Sequence, residues 1–391
     1  MKIYLLFLLL TVFFIKDGLG QLIREKVYLK QPSSPANPSY KQLKPYLKDK
    51  KLFIVGEANH GSHEMFKVKE SFIKYLAKDL ALKDVIIEAD FGSCLIINDY
   101  VTWKTEANPE ELIKLINVWP YRTQEFADLI SWMREFNKKK KAEKQINIWG
   151  MDMQQAYPAL KVLQAELAKT AGHEVLAIPT FKNQMEEMQY TIDDSIFTRL
   201  SQLVNTTSPD KQPILNRCLE VVKMHKKNLE LYKARSNYRD PYRDSCMAAN
   251  VAWIYASLKA DSKVFVWAHN SHIQKINNSS MREISMGSFL NNTFGKQAYF
   301  IGFDFNQGTY IYPHPREKPR TVTAHELHTI ARLLDGEKFD LCFIPFTAAN
   351  QAVLANAEGM QYNVGVVKGK HTELYDAIFF LNEVTPVKML D

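Results

Sequence analysis

Residues 52–64 have the sequence LFIVGEANHGSHE, in which four apolar residues lead into a loop that contains two glycines. A short apolar run without polar alternation is typical of a strand that is buried on both faces of a parallel sheet. The residues after the loop carry apolar side chains at helical spacing. The segment therefore predicts a strand, a loop and a helix in that order, which is the start of a βαβ unit.

Further apolar runs of this kind extend along the chain, bounded by loop residues. They lie at 85–88, 146–149, 264–267, 299–303, 341–344 and 377–381. Residues 155–260 show helical spacing instead. We predict an α/β fold with a mostly parallel central sheet flanked by helices, and a large helical insertion that forms one wall of the active-site cleft. The predicted parts are an N-terminal arm at 21–45, an α/β core domain at 46–154 and 261–391, and the helical insertion at 155–260.

The composition excludes several classes of protein. The 391 residues are 46% hydrophobic and 24% charged, which is typical of a globular protein that folds without disulfides or metal. The four cysteines form no C-x-x-C pair, which excludes a zinc knuckle or a disulfide scaffold. A net charge of +7 is mild for this length, so we expect no nucleic-acid partner.

Residues 1–20 have the pattern of a secretory signal peptide. Lys2 precedes an apolar run at 3–15, and small residues follow at Gly18 and Gly20. The run is shorter than the ~20 residues that cross a bilayer. We expect cleavage after Gly20 and an exported, periplasmic or extracellular protein without a stable membrane anchor.

Ionisable residues follow four of the predicted strands at their carboxyl ends. They are Glu57 and His60, Glu88 and Asp90, Asp152, and His269 and His272. In parallel α/β sheets these ends lie on the side that holds the ligand crevice. Considered alone, Glu57 fits a helix cap and His60 a hydrogen-bonded loop histidine. Lys69, on the apolar face of the next helix, either extends to solvent or pairs with a buried carboxylate.

Several known types of active site do not fit. Gly56 and Gly61 have the spacing of a phosphate-binding loop, but Ser62-His63 occupy the positions of its Lys-Ser/Thr. The chain contains no G-x-S-x-G and no H-E-x-x-H. The remaining cluster of histidines and carboxylates can activate a water as a general base, or it can hold a metal such as zinc or manganese.

The motifs together resemble the erythromycin esterase family over residues 45–385. They are Gly-Glu-x-x-His-Gly-x-x-Glu at 56–64, Ile87-Glu88-Ala89-Asp90, Trp132-Met133-Arg134 with Asn137, Gly150-x-Asp152, Arg243-Asp244 with Met247-Ala248 and Asn250, and Trp267-Ala268-His269-Asn270-x-His272. Weaker matches follow at Met286-Gly287, Gly302-Phe303 and Tyr375-Asp376-Ala377. The resemblance implies an α/β core with a helical part, and hydrolysis of a macrolide lactone by a histidine-activated water without an obligatory metal or other cofactor.

The resemblance also implies roles for individual residues. His60 is the general base, and Glu57 and Glu88 orient it and the water. His269 and His272 either stabilise the oxyanion or position the substrate. Lys69 stands where the family commonly has arginine, which keeps the charge but loses the planar fork. Substrate binding falls to Asp152, Arg243 and Asn270, and the expected partner is a small-molecule ester or lactone.

Two other functions stay open. One is a metal-dependent hydrolase that uses Glu57, His60, Glu88, His269 and His272 as ligands. The other is a secreted, non-catalytic binding protein for haem, iron or a glycan.

Overall fold

The computed structural model describes residues 23–30, 38–116, 118–171, 181, 184–277, 284–312, 318–323, 329–334, 337–355, 357, 359–362, 365–369 and 371–390. The predicted signal peptide at 1–20 lies outside the described residues. The chain divides into two compact units. The first comprises the described residues within 1–80, 268–283 and 291–387, and the second those within 81–267, 284–290 and 388–391.

The first unit contains a mixed sheet in the order β1-β8-β11-β6-β2, with β7 paired to β6. Its strands are β1 (Val27–Leu29), β2 (Leu52–Val55), β6 (Ala298–Tyr310), β7 (Arg320–Val322), β8 (Leu341–Pro345) and β11 (Ala377–Val384). Strand β6 pairs in parallel with β2 and β11, whereas β8 is antiparallel to β1 and β11. A separate antiparallel pair joins β9 (Gly359–Tyr362) and β10 (Gly365–Lys368). The helices are α1 (Lys44–Leu47), α2 (His63–Asp79), α12 (Ile330–Leu333), α13 (Ala348–Leu354) and α14 (His371–Leu374).

The second unit contains three parallel strands in the order β5-β3-β4. They are β3 (Leu82–Asp90), β4 (Asn147–Asp152) and β5 (Lys263–Trp267). Its helices are α3 (Phe91–Val101), α4 (Pro109–Ile113), α5 (Gln124–Asn137), α6 (Tyr157–Ala171), α7 (Gln184–Gln189), α8 (Asp194–Val204), α9 (Gln212–Lys233) and α10 (Arg239–Ser257). The division at residue 290 falls within α11 (Met286–Phe294).

The predicted fold class is confirmed. A strand overlaps each of the seven predicted apolar runs, although β4 begins one residue later than the run at 146–149. The described residues between 153 and 262 contain helices and no strand. The run at 341–344 forms β8, which is antiparallel to both of its neighbours, β11 and the short strand β1 of the predicted N-terminal arm. Within the described residues, no helix combines the length and apolar character needed to span a bilayer.

Candidate active site

The loop after β2 is held in one shape by close packing around its two glycines and by the hydrogen bonds of Asn59. A Cβ atom on Gly56 would lie 2.1 Å from Asn270 Oδ1, and one on Gly61 would lie 2.1 Å from the Ile311 carbonyl oxygen. Asn59 Oδ1 accepts hydrogen bonds from the Gly61 N–H at 3.0 Å and the Ser62 hydroxyl at 2.7 Å. Close packing therefore requires glycine at both positions. This explains why the two glycines have the spacing of a phosphate-binding loop although its Lys-Ser/Thr is missing.

The loop places Glu57 against two cationic partners. Lys69 on α2 is fully buried and forms an ion pair with Glu57 Oε2. His60 Nδ1 lies 2.5 Å from Glu57 Oε1. The Lys69 ammonium also lies 5.3 Å from the ring centre of Phe66 and 5.7 Å from that of Phe303. Of the two alternatives for Lys69, the structure shows pairing with a buried carboxylate.

The charge of Glu57 determines which ring nitrogen of His60 carries the proton. Burial alone would raise the pKa of Glu57, but the Lys69 ammonium and the hydrogen bond from His60 lower it to about 2. The carboxylate therefore stays ionised near neutral pH and accepts the Nδ1–H of His60. In the neutral imidazole this leaves the lone pair on Nε2. Because the His60 side chain is 25% exposed, that nitrogen belongs to a group within reach of solvent.

His269 lies beside His60, with ring centroids 4.9 Å apart. The backbone N–H of Ser271 donates to His269 Nδ1 at 3.3 Å, so the ring proton belongs on Nε2, which donates to the Ala58 carbonyl at 3.3 Å. His272 is buried in the same short helical turn, Asn270–His272. The segment thus holds a neutral histidine next to the candidate base.

Asn270 ties this segment to the sheet of the first unit. Its Nδ2 donates to the Phe303 carbonyl at 2.7 Å, and its Oδ1 accepts from the Phe303 N–H at 3.1 Å. The Tyr375 hydroxyl donates to the Asn270 carbonyl at 3.0 Å. These bonds fix the position of the segment that contains His269 and His272. The contact of Asn270 with substrate stays a prediction.

The second unit holds a separate charged cluster at its own strand ends. Arg243 on α10 donates from Nη2 to Glu88 Oε1 at 2.8 Å and to Asp152 Oδ2 at 2.7 Å. Although burial opposes it, the Asp152 and Glu88 carboxylates raise the pKa of Arg243 well above its ordinary value. Arg243 in turn lowers the pKa of Asp152 against the effect of burial. Asp152, predicted to bind substrate, and Glu88, predicted to be catalytic, therefore share the guanidinium of Arg243, which is itself a predicted substrate-binding residue.

Asp90 lies next to this cluster in the register of the second unit, opposite Asp152. Its Oδ1 accepts the Ser93 N–H at 2.7 Å and so caps α3. Its Oδ2 is buried and has no hydrogen-bond partner among the described residues. Burial, with the negative charge of Asp152, raises the pKa of Asp90 to about 7.

Three other motif residues of the second unit form hydrogen bonds with the backbone. Asn137 bonds the backbone of Val101 and Ile146, and Asn250 donates to the Met151 carbonyl at 2.7 Å. Asp244 Oδ2 accepts the Met286 N–H at 2.9 Å. Their place in the sequence pattern is explained by backbone hydrogen bonds.

Each unit brings some of the predicted site residues together. Glu57, His60, Lys69 and His269 come together in the first unit, and Glu88 lies with Asp152 and Arg243 in the second. Among the described residues, no group of three or more His, Cys, Asp or Glu side chains is arranged to hold a metal ion. Sequence analysis missed Asn59 and Ser271, which order the loop and set the His269 tautomer. Their only sequence signal is that each lies next to a candidate histidine.

The family model described as Erythromycin esterase matches residues 83–384. The chain belongs to the erythromycin esterase family. The match begins after the Glu57–Lys69 pair and includes Glu88, Asp152, Arg243 and His269. Family membership and the names of relatives support a hydrolase.

Two curated relatives carry such names. This erythromycin esterase family member is 24% identical over 338 residues to the Bacillus subtilis protein YbfO, named as a hydrolase, with 75% of this chain and 74% of the relative covered. It is 21% identical over 315 residues to erythromycin esterase type II of Escherichia coli, with 70% of this chain and 74% of the relative covered.

Solved structures share the fold. A Bacillus cereus protein aligns with a TM-score of 0.78 at 19% identity, covering 96% of this chain and 99% of that chain. A mutant of the erythromycin esterase EreC in its open conformation aligns with a TM-score of 0.69 at 16% identity, covering 92% of this chain and 98% of that chain.

Proposed function

We propose that this protein hydrolyses a carboxylic ester or a macrolactone by direct attack of a water molecule that His60 activates. The observation that carries the proposal is the chain Lys69–Glu57–His60, in which a buried cation fixes a buried carboxylate and the carboxylate fixes one face of a partly exposed imidazole. This is the arrangement of a general base with its orienting group.

The proposed reaction has two steps. A water oxygen attacks the acyl carbon while His60 Nε2 takes the proton of that water, and Glu57 stabilises the imidazolium that forms. The tetrahedral intermediate then expels the alkoxide, which receives the proton from His60. An ester yields a carboxylic acid and an alcohol, and a lactone yields a hydroxy acid. Such base assistance contributes about 10²–10⁴-fold to the rate.

The remaining predicted residues keep their roles as proposals. His269 and His272 position the substrate or stabilise the oxyanion, and Glu88 orients the water. Polar donors at an oxyanion add about 10²–10³-fold. A macrolide lactone is the first substrate to test, because one relative is named an erythromycin esterase. The favoured mechanism requires no cofactor.

The experiment is a hydrolysis screen over macrolides, simple lactones and aryl esters with wild type, His60→Ala and His63→Ala in parallel. His63 begins α2 only three residues after His60, so it is the matched control. We expect His60→Ala to remain folded and to lose about 10²–10⁴-fold in kcat, with His63→Ala close to wild type. Normal turnover by His60→Ala contradicts the assignment of the base.

The same screen tests the competing chemistry. Activity is measured before and after treatment with a chelator, and after zinc or manganese is added back. Loss of activity that either metal restores replaces the proposed mechanism with metal-dependent hydrolysis. Unchanged activity in protein shown to be free of metal supports attack by a His60-activated water.

We also propose that residues 1–20 direct export of the protein and are then removed. The basis is the pattern of a basic residue, a short apolar run and small residues at the junction. Amino-terminal sequencing of the protein recovered from its native cell envelope or medium is expected to begin at Gln21. A chain retained in the cytosol with Met1 contradicts export.

A further inference from the structure

The C-terminal residues 385–390 form short backbone pairs at the starts of two helices. Ser62, which precedes α2, forms an antiparallel bridge with Pro386. Thr123, which precedes α5, forms an equivalent bridge with Met389. Each bridge lies within one of the two units. We call the two sites clips: the first clip comprises 61–64 and 385–387, and the second comprises 122–125 and 388–390.

In the first clip, two residues at the start of α2 bind the same C-terminal residue, Thr385. The His63 N–H donates to the Thr385 carbonyl at 2.8 Å. The Glu64 carboxylate accepts the Thr385 N–H and the Thr385 hydroxyl, each at 2.6 Å. On the other side of the bridge, the Val387 N–H donates to the Gly61 carbonyl at 3.1 Å. Glu64, the last residue of the Gly-Glu-x-x-His-Gly-x-x-Glu motif, has no task in the proposed reaction, and its observed partner is the C-terminal segment.

The second clip repeats these bonds in the second unit. The Gln124 N–H donates to the Lys388 carbonyl at 2.8 Å, and the Glu125 carboxylate accepts the Lys388 N–H at 3.1 Å. The Leu390 N–H donates to the Arg122 carbonyl at 2.9 Å. In both clips, the glutamate at the second helical position also places a negative charge where the helix dipole favours one. The second clip differs because no histidine precedes it in the sequence.

The first clip adjoins the candidate base, because Gly61 directly follows His60. The Gly61 N–H donates to Asn59 Oδ1 at 3.0 Å. The Gly61 carbonyl accepts from the N–H groups of Ile311 at 3.3 Å and Val387 at 3.1 Å. A hydrogen bond from the C-terminal segment thus helps to set the backbone position beside the imidazole. A misplacement of about 1 Å at a catalytic group can cost about 10²-fold in rate, so this bond bears on the reaction.

We propose that the first clip positions His60, and that Glu64 and residues 385–387 are positioning residues for the base. They act through the loop and need not touch the substrate. The inference rests on the proposed function, in which His60 activates water. The second clip holds the chain end in the same way and does not act on the base, so it supplies a matched control for each bond.

Two proline variants of the full chain test the proposal. Val387→Pro removes the N–H that donates to Gly61, and Leu390→Pro removes the equivalent N–H of the second clip. Hydrogen–deuterium exchange of the peptide 56–64, measured by mass spectrometry, reports on the loop without a substrate. We expect this exchange to become about tenfold faster in Val387→Pro and to stay at the wild-type rate in Leu390→Pro. Unchanged exchange in Val387→Pro, or the same increase in both variants, overturns the proposal.

Two glutamate variants measure the consequence for the reaction. Glu64→Ala and Glu125→Ala each remove the carboxylate of one clip. We expect Glu64→Ala to lower kcat about 10–10²-fold with KM close to wild type, because a displaced base weakens the transition state rather than substrate binding. Glu125→Ala should keep the wild-type kcat, although its carboxylate is the more deeply buried of the two. Equal kcat values for the two variants overturn the proposal.

The two measurements separate this proposal from the proposed function. If the wild-type protein hydrolyses none of the screened macrolides, lactones and esters, the proposed function fails, and the exchange result alone decides whether the first clip holds the loop. If the wild type is active but Val387→Pro and Leu390→Pro exchange alike, the proposed function stands, and the positioning of His60 by the C-terminal segment is refuted.

Discussion

Both charged clusters contain carboxylates that are neutralised by a cation, but the cation and its other neighbours differ. In the first unit the fully buried Lys69 pairs with Glu57, which follows a buried strand. In the second unit the partly buried Arg243 pairs with Glu88 and Asp152 at the ends of two strands. In the first cluster the carboxylate also binds an imidazole, and that imidazole is partly exposed. In the second, the guanidinium is shared by two carboxylates and stays charged.

The difference is that the first cluster contains an imidazole, whereas the second pairs its carboxylates with a guanidinium that keeps its proton. Collection of charge at strand ends is common to both and does not by itself indicate chemistry. The imidazole is the part that can accept and return a proton near neutral pH. The following variants break or sharpen this contrast.

The largest expected effect comes from Glu57→Gln. Removing the carboxylate charge takes the orienting group from His60 and leaves Lys69 buried without its anion. We expect kcat to fall about 10²–10⁴-fold and the free energy of unfolding to fall by about 3–5 kcal/mol. Turnover assays and denaturant unfolding measure the two losses.

The double variant Glu57→Gln/Lys69→Met separates them. It removes both charges, so we expect most of the stability to return while turnover stays low. Recovery of turnover along with stability would show that Glu57 supports only the fold.

The second cluster is tested by Arg243→Met. Two buried carboxylates lose their shared cation, and we expect the free energy of unfolding to fall by about 3–5 kcal/mol. Arg243→Met/Asp152→Asn should recover part of this loss, because only Glu88 then lacks a counter-ion. The exposed Arg199→Met in the same unit is the control and should change stability by no more than about 0.5 kcal/mol. Equal stabilities for the two arginine variants would contradict the account of this cluster.

The smallest effect is expected for Asp90→Asn and depends on pH. Because the pKa of Asp90 is raised to about 7 in the folded protein, its cost to the fold grows as pH rises from the ordinary carboxyl value of about 4 to about 7 and stays constant above that. Asparagine keeps the acceptor for the Ser93 N–H but carries no charge. Denaturant unfolding should therefore show a gain of about 1–2 kcal/mol at about pH 8 and a smaller gain at about pH 5. The same gain at both values would show that the pKa of Asp90 does not differ between the folded and the unfolded protein.

Much of the fold could be predicted because buried strands leave a local signal. Each continuous apolar run became a strand, and the helical spacing of 155–260 became helices. Pairing direction left no such signal. Strand β8 is antiparallel both to β11 and to β1, a three-residue strand more than 300 positions away, as in the register Val27↔Phe343.

The sequence indicated candidate site residues but not which of them would pair with each other. The residue types at the strand ends pointed to Glu57, His60 and His269, and the structure brings these together. Which carboxylate Lys69 would choose depends on three-dimensional contact, and so does the pairing of Glu88 with Arg243, which lie 155 positions apart.

The most direct test of the central claim is the protonation state of the His60 ring, followed by ¹⁵N NMR of histidine-labelled protein, with His60→Ala used to assign the signal. The account predicts that neutral His60, observed at about pH 8.5, carries its proton on Nδ1 and has an unprotonated Nε2. Glu57→Gln/Lys69→Met should shift the ring toward the Nε2–H form. If the wild-type ring carries its proton on Nε2, that nitrogen has no lone pair with which to accept the proton of the water, and the account is contradicted.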